Sequence, residues 1–271
     1  MDQTQRNTNR TNDRNEVAFE KFASDLPGIG KMGFFYQYCN NKTCREFELF
    51  ILAHQNGASE EELAVFNQII ATTKTDGLVL EYPDIEPVSA QYLRDGSEPF
   101  TKKQTWDEIV NNMSTKHVFH EEGNSACAQY KHELLKKGTW SSSEHDTEFS
   151  NQARRVPGVR HIDTDGILYC EDCHVPLFAI EATSDGCPGT ALEHKRKATS
   201  MTQRVAKTIN AAPALIQHHY HDEDHEHPVY LTTWKDGKKR MFERTWATLA
   251  NDFTRRLEQH KSEGCHASGA S

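Results

Sequence analysis

Between Tyr169 and Asp185 the chain reads YCEDCHVPLFAIEATSD, a Cys-x-x-Cys turn followed by an apolar run that ends on a glutamate. Val175, Leu177, Phe178 and Ile180 give this run the character of an inner strand, and Glu181 is then carried against the same interior. A carboxylate taken out of water costs several kcal/mol unless a cation or hydrogen-bond donors meet it. The stretch therefore demands a strand that starts at a thiol-lined turn and ends at a charge-binding position.

The neighbouring sequence supplies partners for that strand. Segments 159-VRHIDTDGILYC-170 and 175-VPLFAIEAT-183 read as a hairpin. The run 197-KATSMTQRVAKTIN-210 places Met201, Val205 and Ile209 on one helical face, 213-PALIQHH-219 and 228-PVYLTTW-234 read as strands, and a last helix over 243–261 buries Trp246, Leu249, Phe253 and Leu257. The order β-β-α-β-β-α predicts an α/β or α+β fold over 151–261, a mixed sheet flanked by helices. Residues 262–271 read as a flexible terminus.

Upstream, Ser59 and Glu62 have capping-box spacing ahead of Leu63, Phe66, Ile69 and Ile70, which predicts a helix over 58–74, followed by a short strand at 77–82. Segment 83–99 holds too many Pro, Asp and Gly for regular structure, and helices are expected at 104–113 and 125–137. Residues 17–150 thus read as a mainly helical region, 139–152 as the linker and 1–16 as a polar, flexible tail. No internal repeat stands out, and 27-PGIGKMG-33 reads as a turn that lacks full phosphate-loop spacing.

A net charge of −9 over 271 residues argues against a protein that coats nucleic acid nonspecifically. It leaves room for local basic patches at 195–207 and 235–244. No apolar run is long enough for a membrane span and the N-terminus lacks a signal-peptide core, so a cytoplasmic protein without a membrane partner is expected, its seven cysteines serving as thiols or metal ligands.

Asp163 and Asp165 fall at alternate positions of the first hairpin strand and share a face, with Glu181 near the end of the next strand. Carboxylates converging from adjacent strands can hold Mg²⁺ or Mn²⁺ and activate water for attack on phosphate. Equally, the aspartates could rim a turn while Glu181 pairs with a nearby base.

The run 162-IDTDGILYC-170, 176-PLFAIEAT-183 and 201-MTQRVAKTINAAPALIQHH-219 resembles the PD-(D/E)xK nuclease superfamily over about 157–235, in which an Asp on one strand and a Glu closing the next hold the metal, followed by a helix and a further strand. It also resembles small phage-encoded proteins with a Cys-x-x-Cys turn before the Glu strand, for which the compartment would be the host cytoplasm. The resemblance implies a restriction-endonuclease-like core that cuts DNA, or RNA, with Asp165 and Glu181 as metal ligands. It departs at Thr183, where the superfamily carries a Lys. The replacements are Lys195, Lys197 and Lys207; taking Val205 as the core direction, Lys207 points outward while Lys197 lies on a flank with Arg204. A contrasting expectation is a non-catalytic, zinc-stabilised binding module that keeps a nuclease-like fold.

Cys170 and Cys173 have the spacing of half a zinc site. The site is completed by Cys39 and Cys44, or locally by His174, Cys187 or His194, unless the thiols stand alone. The histidine-rich run 218-HHYHDEDHEH-227 reads as a solvated acidic loop.

Overall fold

The computed structural model describes residues 18–39, 47–54, 57–82, 87–94, 98–113, 159–183, 196–219, 225–235 and 238–265. Its described part is mixed α+β, with two six-stranded sheets and five helices. The chain divides into an outer unit, Met1–Gly33 with Thr164–Ser271, and an inserted unit, Phe34–Asp163.

The outer unit holds helix α1 (residues 18–24), strand β1 (Ile29–Met32) and, after the inserted unit, β8 (Gly166–Cys170), β9 (Pro176–Thr183), α4 (Arg196–Thr208), β10 (Ala212–Gln217), β11 (Val229–Lys235), β12 (Lys238–Arg244) and α5 (Trp246–Ser262). Its sheet order is β1-β8-β9-β10-β11-β12. Only β9 and β10 run parallel, because α4 carries the chain back between them. One face packs Leu168, Phe178, Ile180 and Ile216 against Phe22 of α1 and Trp246, Leu249 and Phe253 of α5. The alternate residues face the other way, and there α4 turns Thr202, Val205 and Ala206 inward. The inner strand β9 is covered on both faces, which is why it reads as an almost continuous apolar run.

The inserted unit holds β2 (Phe35–Cys39), β3 (Phe47–His54), α2 (Glu60–Thr73), β4 (Asp76–Glu81), β5 (Val88–Leu93), β6 (Phe100–Gln104), α3 (residues 106–113) and β7 (Val159–Asp163). A capping box at Ser59 and Glu62 starts α2 as the spacing predicts, and Lys74 ends it in the left-handed region. Sheet order is β7-β2-β3-β4-β5-β6, again with a single parallel pair, β3 and β4, bridged by a helix.

Strand for strand, the two sheets have the same order, directions and helix placement. Details repeat as well. Lys74 and Asn210 both take a positive φ after the crossover helix. The Tyr82 amide donates to the His54 carbonyl at 3.1 Å, and that of His218 to Thr183 at 2.9 Å. Tyr82 lies 5.5 Å from Trp106, and His218 5.7 Å from Trp246, between ring centroids. The stretches 104-QTWDEIVNNM-113 and 244-RTWATLANDF-253 place Thr-Trp at each helix start, so the chain does contain an internal repeat.

The first strand of each repeat is exchanged. Strand β1 pairs with β8 rather than with β2, two residues further along the chain, and β7 pairs with β2 rather than with β8. A sequence pattern reads the stretch 159–170 as one strand, whereas the chain leaves one sheet at Asp163 and enters the other at Gly166. Similarly, 29–32 of the expected turn is a strand. The described part of 17–150, expected to be mainly helical, holds strands β1–β6 beside α1, α2 and α3; β4 is the strand expected at 77–82, and α3 the helix expected at 104–113, while the apolar run of β3 is an inner strand covered on both sides, which local periodicity does not separate from helix. Segment 83–99 contains β5, and β12 was hidden in a basic run whose exposed edge has no apolar alternation. Residues 1–17 and the expected helix at 125–137 lie outside the described residues.

Candidate functional site: a carboxylate pair and a thiol–imidazole cluster

Glu181 occupies the penultimate inward position of β9, on the α4 face, and is 9% exposed. Its Oε2 accepts a hydrogen bond from Thr202 Oγ1 of α4 at 3.3 Å. Asp165 immediately precedes β8, and the register Gly166↔Ile180 continued by one residue sets it opposite Glu181. Asp165 Oδ2 accepts the Ala182 backbone amide at 2.6 Å, which ties that carboxylate to the strand position next to Glu181. The two carboxylates predicted from sequence are therefore brought together by adjacent strands.

The same face is polar beyond these two. Thr183, Gln217 and Thr232 are buried there, and the Gln217 side-chain amide and Thr232 hydroxyl have no protein hydrogen-bond partner. Buried polar atoms of this kind cost stability unless a water, ion or ligand serves them.

Asp163 takes a different place: it is the last residue of β7, in register with Phe35, in the inserted unit. Lys197 lies in the first turn of α4 with its side chain outside the described residues, as is Lys195 altogether. Lys207 is exposed in the last turn of α4, and Arg204 and Gln203 are half-buried. Thr183 is 5% exposed.

At the opposite end of the β8–β9 hairpin, Cys170, Cys173, His260 and Cys265 bring their ligand atoms within 4.8 Å of one another. The turn is shaped by Cys170, whose amide donates to the Val175 carbonyl at 3.0 Å and whose carbonyl accepts from His174 at 2.8 Å, with His174 at a positive φ. Helix α5 brings His260 in its last turns, and Gly264, at φ +110°, reverses the chain to deliver Cys265. An ion pair between Lys261 and Asp172 and the packing of Leu257 against Gly28 hold the helix end to the turn. The distance from Cys170 Sγ to Cys265 Sγ is 3.6 Å and from Cys173 Sγ to His260 Nε2 is 3.1 Å. Sulfur ligands about 2.3 Å from a tetrahedral zinc would be about 3.8 Å apart, so this set has the donors and the spacing of a closed metal site.

Without a cation the Cys265 and Cys173 thiols hold their protons. Burial chiefly, with hydrogen bonding to Cys173 and Cys170, pushes the Cys265 thiol up to about 12, and burial raises Cys173 as well. Sequence reasoning found Cys170 and Cys173 but missed His260 and Cys265. The signal was 260-HKSEGC-265, a His and a Cys flanking a glycine at a helix end. Of the other expected ligands, Cys39 ends β2 in the inserted unit with its side chain outside the described residues, and Cys44, Cys187 and His194 lie outside them altogether. His174 closes the turn and is not among the four ligand-bearing residues.

The described residues of the histidine run form no helix or strand, as expected of a loop, but they are only partly solvated. His218 is buried, and the His225 ring sits 4.5 Å from that of Trp246 with Nε2 2.9 Å from the Ala18 carbonyl oxygen. Among the described residues no helix is long and apolar enough to cross a membrane. No family model, curated protein or solved structure matches the chain.

Proposed function

We propose that the outer unit is a metal-dependent nuclease core of the PD-(D/E)xK kind, hydrolysing phosphodiester bonds in DNA, with Asp165 and Glu181 as the ligands of Mg²⁺ or Mn²⁺. The observation that carries this reading is a comparison inside the chain. Continuing the strand registers equates Glu181 with Leu52, and counting back along each crossover helix from Lys74 and Asn210 equates Phe66 with Thr202; Phe34 leads into β2 as Asp165 leads into β8. In the inserted unit Phe34, Leu52 and Phe66 are fully buried, with the Phe34 and Phe66 rings 6.3 Å apart. The fold thus accepts an apolar plug at this place, and the outer unit forgoes it to keep two carboxylates. Such groups lower stability compared with well-packed apolar residues, which points to use rather than architecture.

The order β8-β9-α4-β10, with the Glu on β9 and a helical return to a parallel strand, agrees with the superfamily pattern. The paired oxygen donors suit a hard divalent cation. That cation would polarise phosphate and lower the pKa of a bound water. The Ala182 amide orients Asp165, the Thr202 hydroxyl orients Glu181, and Lys197 or Lys195 would supply the cation missing at Thr183. Lys238, Lys239 and Arg240, exposed on β12, offer phosphate contacts, and also guard an edge strand.

The thiol–imidazole cluster is assigned to structural Zn²⁺, because four protein ligands leave no open position and the length of β8 separates it from the carboxylates.

One observation favours the second reading, a zinc-stabilised module that binds without cutting: Thr183 is buried where the superfamily has its Lys. Incubating the full chain with plasmid DNA and Mg²⁺ or Mn²⁺, beside a metal-free control, separates the two. Metal-dependent nicking supports the nuclease; intact plasmid at all metal concentrations overturns it.

A further inference from the structure

Gln217 closes β10 on the same face as the carboxylates, directly opposite Thr183 and two residues beyond Leu215, the register partner of Glu181. It is 1% exposed, yet its side-chain oxygen and nitrogen both lack a protein partner. The Thr232 hydroxyl, in register with Leu215 on β11, is buried and unserved in the same way. Glu181, Thr183 and Gln217 all sit at the carboxyl ends of the parallel strands β9 and β10, the end at which sheets of this kind bind ligands. Helix α4 returns antiparallel to both strands, so its start lies at the same end and favours an anion there.

The inserted unit again supplies the contrast. Glu81 ends β4 as Gln217 ends β10: each precedes the residue whose amide donates to the end of the neighbouring strand, Tyr82 to His54 and His218 to Thr183. Glu81 is exposed. The copy with a plugged site thus leaves this position to solvent, whereas the copy with carboxylates buries a bare carboxamide there, against the cost of desolvating it.

The chemistry of the amide selects what it holds. Diagonal neighbours on one face of adjacent strands stand about 7–8 Å apart, so a group between Gln217 and Glu181 is close to any cation on the carboxylates. A phosphodiester oxygen can only accept, which suits the side-chain nitrogen alone. The side-chain oxygen needs a donor, and water is the donor that hydrolysis brings to such a site. We propose that Gln217 is a catalytic residue that orients the attacking water, its Oε1 accepting from that water while its Nε2 donates to a phosphate oxygen. The water oxygen then bonds phosphorus as the bond to the leaving oxygen breaks, one water proton passing to solvent and the leaving oxygen taking one back. A neutral amide does not replace the cation missing at Thr183, so this role is additional to that of a lysine.

This inference rests on the nuclease reading. Single-turnover cleavage of plasmid DNA with Mg²⁺ or Mn²⁺, beside equilibrium DNA binding and urea denaturation, separates the two. Gln217→Met keeps the shape of the side chain and removes both polar atoms. It should lower the cleavage rate about 100- to 1,000-fold, leave DNA affinity unchanged, and leave the denaturation midpoint unchanged or higher because no protein partner is lost. Gln217→Asn, which keeps the amide but withdraws it by one methylene, should also lose rate. Cleavage by Gln217→Met at the wild-type rate would overturn this inference and leave the nuclease reading standing, whereas plasmid left intact by the wild-type protein would overturn both. A lower midpoint in both variants would make the carboxamide a structural element, and a loss confined to affinity would make it a binding contact; either result overturns the proposal.

Discussion

Glu181 and Leu52 hold the same register position in two sheets of one topology, the former hydrogen-bonded to Thr202 and the latter fully buried. Their environments predict stability changes of opposite sign. Leu52→Glu places an uncompensated carboxylate at a fully buried position and should destabilise the protein by more than about 3 kcal/mol. Glu181→Leu combined with Thr202→Val should leave stability unchanged or raise it by about 1 kcal/mol. Urea denaturation of the two variants checks this. A marked loss in the second would make the carboxylate a structural element.

Glu181→Gln keeps size and polarity and removes the charge that would draw a divalent cation. It should abolish plasmid cleavage with little change in the denaturation midpoint, since the side-chain oxygen can still accept from Thr202. Cleavage at the wild-type rate would sink the assignment of Glu181.

The thiol–imidazole cluster brings α5 to the β8–β9 turn, so loss of a zinc held there should be felt far from the carboxylates. Cys170→Ser should release one zinc and lower stability by about 3 kcal/mol or more, among the larger effects a single substitution has. Acid should act in the same direction, because protons compete with zinc for the sulfurs and the imidazole, so zinc-dependent stability is present at neutral pH and falls as pH drops. Thermal melts with and without chelator at several pH values test both statements. Equal melts would remove the structural role.

The hairpin, α4, β10, β11 and α5 were legible because each has its own periodicity and turn chemistry. What failed was long-range. Gly33–Phe34 and Thr164–Asp165 connect strands of different sheets, yet locally they resemble a turn and the middle of a strand. Exchange of β1 and β7 leaves no mark on either strand's pattern. The repeat was masked by its own divergence: Asp165, Glu181 and Thr202 face Phe34, Leu52 and Phe66 across the two copies, and Cys-x-x-Cys faces a Cys-x₄-Cys. What remained visible, Thr-Trp at 105–106 and 245–246, carries no chemistry that would draw the eye. His260 and Cys265 were missed for a related reason, as they sit at the end of one helix, distant in sequence from the turn they complete.

The displaced lysine is where the nuclease reading is most exposed. Thr183 leaves the usual cation position on β9 empty, so negative charge developing on phosphate must be met by another donor, and removing such a donor typically costs about 100- to 1,000-fold in rate. Val205 and Ala206 face the sheet and Lys207 is exposed, which fixes the outward side of α4. Lys197, in the first turn, is on the run of chain that follows β9. Lys197→Ala should therefore lower turnover by about that factor with little change in DNA affinity. Lys207→Ala should chiefly weaken binding and reduce the salt slope by about 1. Single-turnover cleavage beside equilibrium binding at several salt concentrations distinguishes the two effects. The reverse pattern would move the catalytic role to Lys207, and intact rates in Lys195→Ala, Lys197→Ala and Lys207→Ala would leave the buried Thr183 as the mark of a module that binds without cutting.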